Sequence, residues 1–129
     1  MNTEHGHVNW NELMTRDVEA AKSFYADTLG WSYDSMPNPE GGTYYIAMAG
    51  GKPAAGLFEM QGADFDNVPV QWFAYIAVDD IDARLAKVAD AGGMIIRPAF
   101  DIQGIGRIAV VQDKSGAHIG WITPAPPQA

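Results

Sequence analysis

Six side chains in this sequence have the chemistry to recognise or transform a small organic molecule: the carboxylates Glu12 and Glu59, the rings of Trp10 and Phe73, the phenol of Tyr75 and the imidazole of His118. Glu12 stands two residues from Trp10. A carboxylate beside an apolar ring is a candidate general base or ligand-orienting group, because low polarity disfavours its charged form. Glu12 reads equally as a solvated residue at a strand end. His118 offers a proton-transfer group or a metal ligand near neutral pH, and is also the type of residue that serves as a hydrogen-bonded structural histidine. Glu12, Glu59 and His118 taken together form a mixed oxygen and nitrogen set that could hold a divalent cation. Trp10, Phe73 and Trp121 divide between core packing and the lining of an aromatic pocket.

These residues need strands to aim them. Alternation along a strand puts Trp10 with Glu12, Phe73 with Tyr75, His118 with Gly120 and Ile122, and Leu57 with Glu59. The strands belong to a repeat. "NWNELMTRDVEAAKSFYADTLGW", residues 9–31, returns in weaker form as "WFAYIAVDDIDARLAKVADAGGM", residues 72–94. With Asp17 slid onto Asp80, Ala20 falls on Ala83, Ala26 on Ala89, Asp27 on Asp90 and Gly30 on Gly93. The same shift pairs Tyr45-Ile46-Ala47 with Ile108-Ala109-Val110. Each Asp sits where an N-cap carboxylate can accept otherwise unpaired N–H groups. Apolar residues follow at helical spacing, and Gly30 and Gly92-Gly93 supply the left-handed stop. Each copy therefore predicts one amphipathic helix.

A strand precedes each helix ("HVNWNELM", "VQWFAYIAV") and three follow it, with "AGGKP" and "DKSG" turning between the last two. Each half reads β-α-β-β-β. Module one covers about 7–60, a linker about 61–69 and module two about 70–124, within one domain over 1–129. The expected class is α+β. One helix cannot cover both faces of a four-stranded sheet, so the modules, related by a pseudo-twofold, are expected to form a half-closed eight-stranded barrel, with helices outside and a cup within.

Composition narrows the function. The chain has 129 residues, 47% of them hydrophobic, enough for one ordinary core. Eight basic residues face sixteen acidic ones, a formal charge of -8, so nucleic acid is an unsuitable partner. Cysteine is absent, which removes disulfides, thiolate nucleophiles and Cys-based zinc sites. No apolar run approaches membrane-spanning length and no secretory leader opens the sequence, so no membrane partner and a cytoplasmic location are expected. "GIGRIA", residues 104–109, leads into a β-rich run and not a helix, so it is a turn and not a dinucleotide loop. "GGK", residues 50–52, lacks the spacing of a phosphate loop. His5 and His7 are expected on a frayed terminus.

The strings "D(V/I)(E/D)A" at each helix start, "FYADTLGW" at 24–31 and "VVQDKSGAHIGWITP" at 110–124 resemble the vicinal oxygen chelate superfamily, the glyoxalase I, bleomycin-resistance and extradiol-dioxygenase group, nearly end to end. "WNEL", "GGTYY" and "GIGR" are most similar to its glyoxalase-like branch. The resemblance implies two metal ligands per half, typically His, Gln or Glu. Those positions fall here on Trp10, Phe73, Gly120 and either Leu57 or, with a one-residue gap, Gly56, none of which is such a ligand. The expectation is therefore a metal-free, cofactor-free protein that binds an aromatic or largely apolar small molecule in its cup, with bleomycin-resistance proteins as the precedent. The alternative is a lyase, isomerase or dioxygenase-type enzyme using Glu12 and His118 or a displaced metal site. Relatives commonly pair, so a homodimer is expected.

Overall fold

Both capping aspartates do what their positions require. The carboxylate of Asp17 accepts the N–H of Ala20 at 3.0 Å, and that of Asp80 accepts the N–H of Ala83 at 3.2 Å. Each satisfies a donor that has no partner inside the helix. Helix α1 then runs over Val18–Leu29 and stops at Gly30, whose φ of 74° lies in the left-handed region and whose N–H donates to Ala26 O at 3.1 Å.

The second helix departs from expectation: α2 covers only Ile81–Leu85. Beyond it the chain continues in tight turns, with i→i+3 bonds from Lys87 to Arg84 O, Val88 to Leu85 O and Gly92 to Ala89 O. The segment is drawn against the following strands. A Cβ on Gly93 would stand 2.5 Å from the Gln112 carbonyl oxygen, so only glycine permits that approach.

The structure is a computed structural model and describes residues 2–38 and 41–126. Eight strands accompany the helices: β1 (Val8–Thr15), β2 (Ser32–Pro37), β3 (Thr43–Ala49), β4 (Lys52–Glu59), β5 (Gln71–Ala77), β6 (Met94–Ile102), β7 (Gly106–Gln112) and β8 (His118–Pro124). The strands run in the order β2-β3-β4-β1 in the first module and β5-β8-β7-β6 in the second, each a mixed set of parallel and antiparallel pairs. The α+β class and the β-α-β-β-β order of each module agree with the sequence. Asn11–Phe73 forms one compact unit; the chain up to Trp10 and from Ala74 onward forms the other. We call them the α1 unit and the α2 unit.

In the α1 unit, β1 pairs with β4 in parallel, Glu12 opposite Gly56 and Leu13 opposite Leu57. In the α2 unit, β5 pairs with β8 in parallel, Tyr75 opposite Gly120 and Ile76 opposite Trp121. The antiparallel partners repeat too: Ile46 opposite Gly56, and Val110 opposite Gly120. Tyr45 is thus matched by Ala109 and not, as the gapless shift had it, by Ile108. The second module holds one more residue between helix and third strand, and β6 takes it up through register shifts between Ile95 and Arg97 and between Arg97 and Phe100.

Each unit buries one sheet face under its helix. Leu13, Val18, Ala47, Ala55 and Leu57 form the α1 core, joined by Ala21, Tyr25, Trp31, Tyr33 and Tyr45. Burial and the neighbouring Tyr25 push the Tyr33 hydroxyl pKa up, and that hydroxyl donates to Lys22 O at 3.0 Å. The α2 core is Val78, Ile81, Leu85, Val88, Ala109 and Val111, with Ile76, Ala99, Ile119 and Trp121 against it. Full burial of one such aliphatic side chain contributes roughly 1.5–3 kcal/mol. The terminus expected to fray and the linker between the modules are both tied down. Gly6 N–H donates to Ala77 O at 2.7 Å, Ala77 N–H to His7 O at 2.8 Å, and Asp79 N–H to His5 Nδ1 at 3.0 Å, so His5 and His7 do not fray. Within the linker, Ala63–Phe65 forms a 3-10 turn, and Arg16 Nη2 donates to Phe65 O and Val68 O, each at 2.6 Å.

Candidate functional site

The cores decide which strand faces remain for a ligand. Leu13 and Leu57 point to α1, so Trp10, Glu12 and Met14 point to the opposite, helix-free face of β1. Ile76, Ile119 and Trp121 point to α2, so Phe73, Tyr75, His118, Gly120 and Ile122 share the helix-free faces of β5 and β8. Within the α1 unit, Glu12 lies opposite Gly56 and Phe58 follows on the same face, its ring 5.4 Å from Phe65. Phe73 is buried, while Trp10 and Glu12 are half-buried.

Glu59 is placed differently. Strand parity keeps it with Leu57, but Leu57 packs on α1, so Glu59 lies on the face away from Glu12. It pairs with Thr15 across the strands and accepts from Gln61 Nε2 at 3.2 Å. The displaced metal set of Glu12, Glu59 and His118 is accordingly not assembled. Among the described residues no three His, Asp or Glu side chains gather closely enough to hold a metal ion.

In the α2 unit the ring of Tyr75 lies directly on the Gly120 backbone. A Cβ on Gly120 would overlap Tyr75 Cδ1 and Cε1 and would stand 2.9 Å from Cγ. Gly120 is therefore glycine for clearance, and a phenol ring fills the space that a β8 side chain would otherwise enter. His118 sits at the exposed end of the same face, with Nε2 3.1 Å from Gln112 Oε1. An amide oxygen accepts, so in this contact the ring nitrogen is the donor. The face also holds a pair that the sequence reading passed over. The Arg97 guanidinium lies 3.9 Å above the Phe100 ring, and Phe100 pairs with Ile108 of β7. Pro98 inside a strand was the available signal, because proline there marks a bulge that re-aims its neighbours.

The β1/β4 and β5/β8 pairs relate the two halves of the repeat residue by residue. Register selects Gly56, not Leu57, as the counterpart of Gly120. Trp10, Phe73, Gly56 and Gly120 contribute no side-chain donor to a cation, and Tyr75 occupies the space over Gly120, so these residues do not fit the metal of the metal-using relatives.

Comparison with known proteins agrees with this architecture. Residues 6–120 match the model of the Glyoxalase/Bleomycin resistance protein/Dioxygenase superfamily, and the chain belongs to that superfamily. It is 42% identical over 116 residues to CFP32 of Mycobacterium tuberculosis, provisionally named a glyoxylase, covering 89% of this chain and 44% of that protein. It is 34% identical over 119 residues to the anthracycline biosynthesis protein DnrV of Streptomyces peucetius, covering 84% of this chain and 43% of that one. The chain thus spans about half the length of the curated relatives it matches. Among solved structures, methylmalonyl-CoA epimerase from Mycobacterium tuberculosis superposes with a TM-score of 0.69 over 98% of this chain and 93% of its own, at 19% identity, a likeness of fold. Among the described residues no helix is long and apolar enough to cross a membrane.

Proposed function

We propose that this chain is a small-molecule-binding member of the superfamily. It takes an aromatic or otherwise largely apolar organic ligand on the helix-free strand faces, without a metal at the family positions. The observation that carries this reading is the Tyr75 ring lying on Gly120, which gives the face an aromatic floor where metal-using relatives place a polar ligand. Stacking on such a floor favours planar apolar ligands. A relative named for anthracycline biosynthesis supports an aromatic ligand class. Glu12, at the position in the α1 unit equivalent to Tyr75, places a carboxylate on the helix-free face of β1, where it can accept from a donor on the ligand. A formal charge of -8 argues against nucleic acid as the partner. The exposed rings of Phe24 and Trp72 in the α1 unit favour a homodimer.

A dihydroxyanthraquinone titrated against the protein tests the reading by fluorescence. Tyr75→Ala is expected to weaken binding about tenfold, the loss of roughly 1.4 kcal/mol of stacking and area. Trp10→Ala and Glu12→Gln are expected to weaken it less. Unchanged affinity in all three variants would remove the site assignment. A second reading, acid–base turnover by Glu12 or His118, is favoured by the relative named a glyoxylase. Saturable product formation abolished by Glu12→Gln or His118→Ala would establish it.

A further inference from the structure

We infer that the α2 unit carries a second binding site, on its helix-facing side: an apolar crevice capped by Lys114 that takes a small amphipathic carboxylate with a single ring as its apolar part. The crevice lies between the turns after α2 and strands β7 and β8, with a volume of about 260 Å³ and walls from Val88, Ala91, Val111, Ile119 and Trp121. An apolar cavity of about 150 Å³ is already enough for benzene.

The repeat explains why space remains there. In the α1 unit the equivalent of Val88 is Tyr25 and the equivalent of Ala109 is Tyr45, and both rings pack into the α1 core. The α2 core lacks those two rings, and its helix gives way to tight turns at the same place. Lys114 supplies the polar end. Its methylenes lie along Gly92, with Cδ and Cγ 3.0 and 3.1 Å from where a Cβ would be. No acid pairs with Lys114 among the described residues. The adjacent Asp113 is committed to its own turn, accepting from Ser115 N–H at 2.8 Å, Ser115 Oγ at 2.6 Å and Ala117 N–H at 3.1 Å. Lys114, which lines the crevice with Asp113 and has no salt-bridge partner among the described residues, offers an ammonium complementary to a carboxylate attached to an apolar body. The net charge of -8 discourages diffuse anion binding elsewhere, so the lysine makes the site selective. This site is separate from the one proposed above, because Ile119 and Trp121 alternate along β8 with His118 and Gly120.

Phenylacetate, with neutral phenylethanol as its isostere, tests the inference by NMR titration of the intact protein, reading the Trp121 indole N–H assigned with Trp121→Phe. Phenylacetate is expected to shift that resonance saturably. Lys114→Met should weaken phenylacetate about tenfold and leave phenylethanol unchanged, the size of a charge-assisted contact. Val88→Phe, which returns a ring to the crevice, should abolish both. If that variant does not fold, Ala91→Leu fills the same space. The inference is overturned if no saturable shift occurs, if the shifts centre on Tyr75 and His118, or if Lys114→Met and the filled variant bind as the parent does.

Discussion

The α1 and α2 units use the same element order and the same parallel-pair register, yet they fill the space under their helices differently. Tyr25, Trp31, Tyr33 and Tyr45 crowd the α1 core, and Trp31 and Tyr25 extend a ring cluster to Trp72, with centroids 5.1 and 5.7 Å from Tyr25. Trp72 Nε1–H donates to Tyr25 Oη at 3.2 Å. Val88 and Ala109 replace two of these rings in the α2 core, the helix shortens to Ile81–Leu85, and a crevice remains. The helix-free faces differ in the opposite sense, since Glu12 is the cross-strand partner of Gly56 in one unit and the Tyr75 ring lies on Gly120 in the other. Duplication therefore fixes the backbone frame and leaves side-chain volume on each face free to diverge. Where volume is lost under a helix, apolar space opens; where a ring is gained over a glycine, a polar position closes.

The sharpest way to break this comparison is at Gly120. Gly120→Ala forces a methyl into the Tyr75 ring and is expected to cost about 1–3 kcal/mol, the range for overpacking. Urea unfolding reads it as a lower midpoint at unchanged slope. In a Tyr75→Ala background the same substitution should cost little, because the ring it strikes is gone. Additive costs would mean that the ring does not rest on Gly120.

The sequence carried the eight strands and both caps because those signals are local. Period-two alternation, Gly and Asp turns, and a capping Asp each act within a few residues. What it could not carry were contacts across strands. The end of α2 depends on Gly93 meeting the Gln112 carbonyl, and the one-residue shift hides in the β6 bulges around Pro98. Glu59 illustrates the limit of alternation, which groups residues by face without saying which face the helix covers. Leu13 and Leu57 held that information, since two leucines directly paired on one face mark the buried side. Parity was legible at Glu12, Tyr75 and His118, and so their shared side of each strand was too.

A smaller difference is expected at the helix starts. Removing the cap by Asp17→Ala should cost about 1 kcal/mol, since its carboxylate serves a twelve-residue helix. Asp80→Ala should cost about half of that or less. Thr123 Oγ1 already accepts the Ile81 N–H at 3.0 Å and donates to Val78 O, so the α2 start keeps a bond to the sheet when the cap is lost. Equal costs in the two variants, measured by chemical denaturation, would show that the two starts depend on their caps alike.

The smallest expected effect concerns acid. Arg84 grips the Asp79 carboxylate through Nε and Nη2, both at 2.9 Å, and the Asp80 N–H adds a bond at 2.8 Å, which together hold Asp79 far below the ordinary 3.8. The Ser115 hydroxyl, then the Ala117 N–H, lower Asp113 in the same way. Both residues belong to the α2 unit. A carboxyl depressed by folding is deprotonated in the folded state while its unfolded counterpart still binds protons, so its stabilising contribution is complete above 3.8 and drains as pH falls below that value. Both groups are fully exposed, so salt screens the effect and keeps it modest. Amide exchange in low salt should therefore show α2-unit protection falling more than α1-unit protection as pH drops below about 4, the ordinary carboxylate range. Asp79→Asn should flatten that loss by removing the titrating group, and raising the salt should do the same in part. If the α1 unit loses protection first, or if Asp79→Asn leaves the acid profile unchanged, the Asp79–Arg84 pair does not set the difference between the units.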